Sequence, residues 1–129
     1  MRSATCSLRI LLIDDDEDAR QLLTILLELI GYEVYSESNG RSALPLVESL
    51  HPDVIISDIG MPELDGYQTA ALIRRQSWGS QVVLIALSGY GSAQDKKRAD
   101  QAGFDYHFTK PLDTRLLNQA LKKHLLFMG

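Results

Sequence analysis

At 129 residues, 45% of them hydrophobic, the chain has the length of one globular domain with a packed core, and its composition excludes a disordered or membrane-embedded protein. A formal net charge of -4, with 13 Lys and Arg scattered among 17 Asp and Glu, supplies no basic stripe for direct contact with nucleic acid and favours a metal or other cation as ligand. Residues 1–7 have no apolar signal segment, no run approaches a membrane span, and Cys6 is alone, so the chain reads as cytoplasmic, without disulfides, a cysteine metal site or a membrane partner.

Leu8 to Ile13 is an apolar, β-branched-containing run, the composition of a strand buried on both faces. It breaks directly into Asp14-Asp15-Asp16. Adjacent carboxylates at 4 Å repel by about 4 kcal/mol per pair at a surface-like dielectric, and a bound cation would turn that repulsion into attraction. The plainer alternative is an acidic helix start, which accounts for one or two of the three. From Glu17, Leu22, Leu23, Leu26, Leu29 and Ile30 recur at helical spacing, predicting an amphipathic helix that Gly31 stops. Tyr32 to Ser36 reads as a second strand and Asn39-Gly40 as a turn. Arg41 to Leu50 is expected to be helical on Ala43, Leu44, Val47 and Leu50, with Pro45 kinking it.

Asp53 to Ser57 is a third apolar strand that again ends on an acid, Asp58. Ile59 to Asp65, with Gly60 and Pro62, is a loop, and Asp65 caps an expected helix from Gly66 to Gln76 that buries Tyr67, Ala70 and Ile73. Val82 to Leu87 is a fourth strand running into Ser88-Gly89. Ser92 to Ala102 is a polar helix with only Ala93, Ala99 and Ala102 to bury, so it is weakly anchored and a candidate for movement. Phe104 to Thr109 is a last strand stopped by Lys110-Pro111, and Asp113 caps a final helix with Leu116, Leu117, Ala120 and Leu121 inward.

Fivefold βα alternation without repeat or linker implies one α/β domain over residues 1–129, a parallel sheet with helices on both faces and right-handed crossovers. In such sheets ligands bind beyond the carboxyl ends of the strands where strand order reverses, and in the flavodoxin-like order 2-1-3-4-5 strands one and three are neighbours there. Asp14, Asp15 and Asp16 follow the first strand, Asp58 the third, Ser88 the fourth and Lys110 the fifth. Four strand ends therefore face one crevice. Carboxylates from two of them suit Mg²⁺, a hard cation that takes oxygen ligands, better than Zn²⁺. A carboxylate beside a metal, a hydroxyl and an ammonium can accept a phosphoryl group, with Lys110 and Ser88 on the phosphoryl oxygens. Taken singly, Ser88 as a turn residue and Lys110 as a solvated loop lysine are sufficient readings; their joint placement with Asp58 favours the site.

With these residues in place the chain resembles the receiver domain of two-component response regulators, over about Arg9 to Leu125, which implies a CheY-like (βα)5 sandwich. Asp14 and Asp15 match that family's acidic pair, and Asp58 within Ile56-Ser57-Asp58-Ile59-Gly60-Met61-Pro62 matches its phosphorylated aspartate. Ser88 matches its switch hydroxyl and Lys110-Pro111 its Lys-Pro, a bond usually cis in the family. The resemblance implies Mg²⁺ held by Asp15, Asp58 and the Gly60 carbonyl, with Asp14 acting through water. It implies a phosphohistidine donor on a histidine kinase or histidine phosphotransfer domain, and a signalling domain that catalyses its own phosphoryl transfer and slow dephosphorylation. On phosphorylation Ser88 would move toward the phosphoryl group and His107, an imidazole where Tyr or Phe is common, would turn inward. The fourth helix, last strand and last helix would form the output face toward an unidentified downstream partner. Gly60 and Tyr90 depart from the family where its side chains flank the hydrolytic water, which implies an unusual phosphoryl lifetime. Ser88-Gly89-Tyr90-Gly91 and Ala102-Gly103-Phe104-Asp105 are most similar to receivers of hybrid sensor histidine kinases.

Three rival readings remain. A haloacid-dehalogenase-type phosphatase would use Asp14 as nucleophile, but the chain lacks the acidic pair expected downstream of the lysine, and Asp58 is left unexplained. A calcium loop on Asp14, Asp16 and Asp18 has Ala19 where Gly is required and Ile25 where Glu is required. A phosphorylation-independent interaction module would keep the fold without needing the acids, Ser88 or Lys110.

Overall fold

The computed structural model describes residues 8–61, 64–77, 79, 81–89 and 93–128, with side chains to residue 123. Strand β1 (Arg9–Ile13) sets the architecture. Ile10 and Leu12 face one side of it and Leu11 and Ile13 the other, all four fully buried, so β1 needs cover on both faces. The chain continues as α1 (Glu17–Ile30), β2 (Glu33–Glu37), α2 (Gly40–Leu50), β3 (Val54–Asp58), α3 (Gly66–Arg75), β4 (Val83–Ser88), α4 (Ala93–Ala102), β5 (Tyr106–Thr109) and α5 (Thr114–Met128). The strands pair in parallel, as the alternation predicted, and in the flavodoxin-like order β2-β1-β3-β4-β5. Ile13 pairs with Ser57, which brings the ends of β1 and β3 together.

Each face of the sheet carries its own core. Leu11, Ile13, Ile55, Leu84 and Ala86 pack with Ala43 and Val47 of α2, Ala70 and Ile73 of α3, and Ala99 of α4. Ile10, Leu12, Val54, Ile56, Ile85 and Leu87 pack with Leu27 of α1 and with Leu117 and Leu121 of α5. No helix among the described residues is long and apolar enough to cross a membrane.

The helices depart from the sequence reading in instructive ways. In α1 the fully buried residue is Leu27, with Leu23 and Leu26 half-buried; Leu22 is 60% and Leu29 79% exposed, and Ile25 and Ile30 are exposed too. The helix has two leucine-rich stripes at helical spacing, and periodicity cannot say which one meets the sheet. Gly31, at φ 117°, closes α1 by donating its N–H to Glu28 and Leu27 carbonyls. Asn39 does not form a free turn but caps α2, accepting from the Ser42 N–H at 2.8 Å, and α2 continues through Pro45. Leu116, expected inward on α5, is 50% exposed, while Leu117, Ala120 and Leu121 are buried. Phe104 and Asp105 precede β5 and are not part of it.

Helix α4 buries Ala99; Ala102 is half-buried and Ala93 exposed. Its C-terminal end is secured by polar contacts instead. Arg74 of α3 donates two hydrogen bonds to the Gly103 carbonyl and one each to the Gly79 and Val82 carbonyls and the Asp105 carboxylate, at 2.7–2.9 Å. Asp105 also accepts the Leu84 N–H at 2.9 Å. This clasp gathers the starts of β4 and β5, at the opposite end of the sheet from the strand-end acids.

Candidate functional site

The site is assembled by the ends of the strands. After β1, the Asp14 N–H bonds to the Glu37 carbonyl at 3.1 Å, which holds Asp14 at the carboxyl end of the sheet, where it is 3% exposed. Its Oδ1 accepts the Asp16 N–H at 2.9 Å, and its carbonyl accepts from the Arg20 guanidinium at 2.8 Å. Asp16 caps α1, accepting the Ala19 N–H, and so belongs to the helix start. Asp15 is exposed beside it.

Asp58, the last residue of β3, is 7% exposed, and its Oδ1 accepts the Gly60 N–H at 3.2 Å. The first turn of α3 closes on its backbone. A Cβ on Gly66 would stand 2.6 Å from the Asp58 carbonyl oxygen and 2.7 Å from the Ile59 Cα, so only glycine allows that approach. The Asp65 capping box, completed by Gln68, fixes the start of the same helix. From the other side the Lys110 N–H bonds to the Ser88 carbonyl at 2.7 Å, and the Lys110-Pro111 bond is cis. The Lys110 ammonium lies 3.2 Å from Asp58 Oδ2 and 3.7 Å from Asp14 Oδ2. Carboxylate oxygens of Asp14, Asp15 and Asp58 all fall within 4.8 Å of one another.

Ser88 closes β4 and is 7% exposed. Its Oγ meets His107 Nε2 at 2.9 Å. Asp58, Gly60 and Ser88 share a cavity of about 460 Å³ whose outer wall includes Tyr67 and Arg98. The Arg98 guanidinium sits over the Tyr67 ring, 4.2 Å from its centroid. Every sequence-predicted site residue thus converges on one end of the sheet, with His107 reached through Ser88. Pro62 and Tyr90 lie outside the described residues. Arg20, Gly66, Tyr67 and Arg98 were not singled out as site residues. Of these only Gly66 had a readable signal, as the glycine after a capping Asp.

Charge in the pocket is finely opposed. Burial pushes the Asp14 carboxyl above its ordinary value, against the Asp16 N–H and Lys110, and the neighbouring Asp58 and Asp15 push the same way. Partial burial would lower Lys110, but Asp58 and Asp14 outweigh it and hold the ammonium above its usual range. Burial lowers the His107 imidazole from 6.5, Lys96 adds to this, and Asp95 and Asp100 oppose it. The unfolded chain therefore binds that proton more readily. Stability from this group is full above the unfolded value of 6.5 and should fall as pH drops through it, levelling off below the folded value. Melting curves across that window check this, with His107→Phe expected to remove the slope.

An oxygen-only pocket with a nearby ammonium and hydroxyl can hold a hard cation and present one carboxylate to an electrophile. A family model described as "Response regulator receiver domain" matches residues 10–122. Protein PilG of Pseudomonas aeruginosa is 35% identical over 125 residues, covering 97% of this chain and 93% of PilG. Regulatory protein AtoC of Escherichia coli is 36% identical over 118 residues, 91% of this chain and 25% of AtoC. Among solved structures, chemotaxis protein CheY4 of Vibrio cholerae aligns with a TM-score of 0.86 at 29% identity, covering 92% of this chain and 98% of CheY4. The receiver domain of sensor histidine kinase PA1611 from Pseudomonas aeruginosa, solved with a magnesium ion coordinated in its active site cleft, aligns with a TM-score of 0.84 at 30% identity, covering 92% and 97%.

Proposed function

The chain belongs to the response regulator receiver family, phosphoacceptor domains of two-component signal transduction, and from that premise we propose that Asp58 is the acceptor and Asp14, Asp15, Gly60, Ser88, His107 and Lys110 are its working partners. One observation carries this reading. The Asp58 carboxylate has Oδ1 held by the Gly60 N–H, Oδ2 against the Lys110 ammonium, and two further carboxylates within 4.8 Å.

Asp58 attacks phosphorus as the P–N bond of a phosphohistidine breaks, and that bond's electron pair leaves with the donor imidazole. Lys110 exchanges its contact with Asp58 for one with a phosphoryl oxygen, and the Ser88 hydroxyl donates to another. Asp14, Asp15 and Asp58 offer oxygens without a competing His or Cys among the described residues, a donor set that fits Mg²⁺, with the Gly60 carbonyl as a further ligand by family resemblance. Bound there, the metal would neutralise charge developing on the phosphoryl oxygens. The magnesium recorded in the PA1611 receiver supports that assignment.

The donor is a histidine kinase or histidine phosphotransfer domain, a class suggested by the kinase receivers among the structural neighbours. Residues 1–129 act as one cytoplasmic receiver domain that catalyses its own phosphorylation and slow hydrolysis. The output face runs over α4, β5 and α5. A phosphatase nucleophile at Asp14 fits less well. Asp58 lines the open cavity together with Gly60 and Ser88, whereas Asp14, 3% exposed, is not among its lining residues.

The test is to incubate the protein with a phosphohistidine donor or a small acyl phosphate, with and without Mg²⁺, and to map the hydroxylamine-sensitive phosphoryl group. Mg²⁺-dependent label on Asp58 supports the proposal; label on Asp14 overturns it. Lys110→Ala should still accept the group on Asp58 yet lose the accompanying backbone amide shifts in α4 and β5, and wild-type shifts would remove its switch role. Asp15→Ala should weaken divalent binding about tenfold or more in a metal titration.

A further inference from the structure

Ala86 pairs with His107 across β4 and β5, and Ser88 lies two residues beyond Ala86, so Ser88 and His107 share the sheet face that α4 covers. Ser88 Oγ and His107 Nε2 are 2.9 Å apart. The other ring nitrogen, Nδ1, is shut off from solvent and has no hydrogen-bond partner among the described residues.

That orphan nitrogen decides where the ring proton sits. A proton on Nδ1 would bury a donor with nothing to receive it, among the rarest defects in folded proteins, whereas an unused acceptor lone pair is better tolerated. The neutral ring therefore carries its proton on Nε2 and donates to Ser88 Oγ. The Ser88 O–H cannot then point at His107 and must serve another acceptor.

We infer that His107 is a positioning residue for phosphoryl transfer: as the Nε2–H tautomer it occupies one lone pair of Ser88 Oγ and turns the Ser88 proton away from the ring, so that the hydroxyl acts as donor to a phosphoryl oxygen arriving in the cavity it shares with Asp58. The inference rests on the reading of Asp58 as acceptor and goes beyond it by assigning the donor and acceptor in the Ser88–His107 pair. The surroundings of the ring favour a neutral imidazole on balance. Lys96 of α4 disfavours a cation, Asp95 and Asp100 of α4 favour one, burial decides for the neutral form, and Lys110 and Asp58 stand beyond Ser88. A second proton would go to Nδ1 and force the ring out of its buried position, so the positioning fails on the acid side.

The decisive measurement is the ¹⁵N spectrum of the histidine rings in the unphosphorylated protein near neutral pH, with His107 assigned by its loss in His107→Phe. Protonated Nε2 and bare Nδ1 are expected; protonated Nδ1 with bare Nε2 overturns the inference. His107→Phe, which keeps the ring volume and loses the donor, should slow phosphorylation of Asp58 by a small acyl phosphate about two- to tenfold, the range of one hydrogen bond. His107→Gln can return an N–H near the Nε2 position, so it should recover most of that rate and lose the acid-side decline. Equal rates in wild type, His107→Phe and His107→Gln would overturn the positioning role. If wild type takes no phosphoryl group onto Asp58, it is the functional reading that fails, and the ring spectrum still reports the tautomer independently.

Discussion

Asp58→Asn should abolish phosphoryl uptake completely and at the same time make the protein more stable. The amide cannot act as nucleophile, so no acyl phosphate forms even with Mg²⁺ and excess donor. The stability gain follows from crowding. Asp58 shares 4.8 Å of space with Asp14 and Asp15, and at that distance each like-charge pair opposes folding by about 3 kcal/mol at an effective dielectric of about 20. Removing Asp58 relieves two such pairs and sacrifices one attraction, to a Lys110 that keeps Asp14 at 3.7 Å. Screening of the exposed Asp15 and the one-third-exposed Lys110 trims both sides, leaving a gain of about 1 kcal/mol. Urea unfolding at neutral pH with chelator reads it as a higher midpoint. Added Mg²⁺ should shrink the difference, because the cation stabilises wild type more. A lower midpoint in the variant would mean that the acids are not under mutual strain.

Arg74→Ala is expected to be strongly destabilising although it lies away from the acidic pocket. Its guanidinium makes five hydrogen bonds to four acceptors, and the side chain is 22% exposed. Charge-assisted bonds of this kind contribute about 1.5–3 kcal/mol each in isolation, but the released carbonyls lie near the surface and rehydrate, so a net loss of about 3 kcal/mol is expected. Arg74→Lys should recover little, because an ammonium cannot reach several carbonyls in one plane. Phosphorylation of Asp58 should persist in both variants below their melting temperatures. A loss under about 1 kcal/mol would show that the loops hold their places without the clasp.

The end of the sheet that carries the site was legible because four of the five strands are apolar runs that lead into a chemically distinctive residue, whereas the strand order followed from the family resemblance. Asp14, Asp58, Ser88 and Lys110 could be placed at one edge before any distance was known. Side-chain partnerships were not legible in the same way. Ser88 meets His107 through the register of β4 on β5, which one-dimensional spacing does not encode. The Arg74 clasp escaped notice because its acceptors are mostly backbone carbonyls, which every residue carries. Helix α1 misled for the opposite reason: its leucines form two competing stripes, and the half-buried side of an edge-covering helix needs only one.

Helix α4 is held near one end. Ala99 is its buried contact, Ala102 packs beside it, and Arg74 grips the Gly103 carbonyl just beyond. Toward its other end α4 meets α3 through the Tyr67 hydroxyl, which reaches the Asp95 carbonyl at 3.5 Å, while Arg98, next to Ala99, lies over the Tyr67 ring. From Ala93 to Ala99 the helix extends about 9 Å, at about 1.5 Å per residue. Treated as a lever with its fulcrum at Ala99, a tilt of about 10° carries the Ala93 end about 1.5 Å, roughly one residue's rise. A tilt of that size would change the surface contour presented by the Ala93 end, and its extent is set by arm length alone.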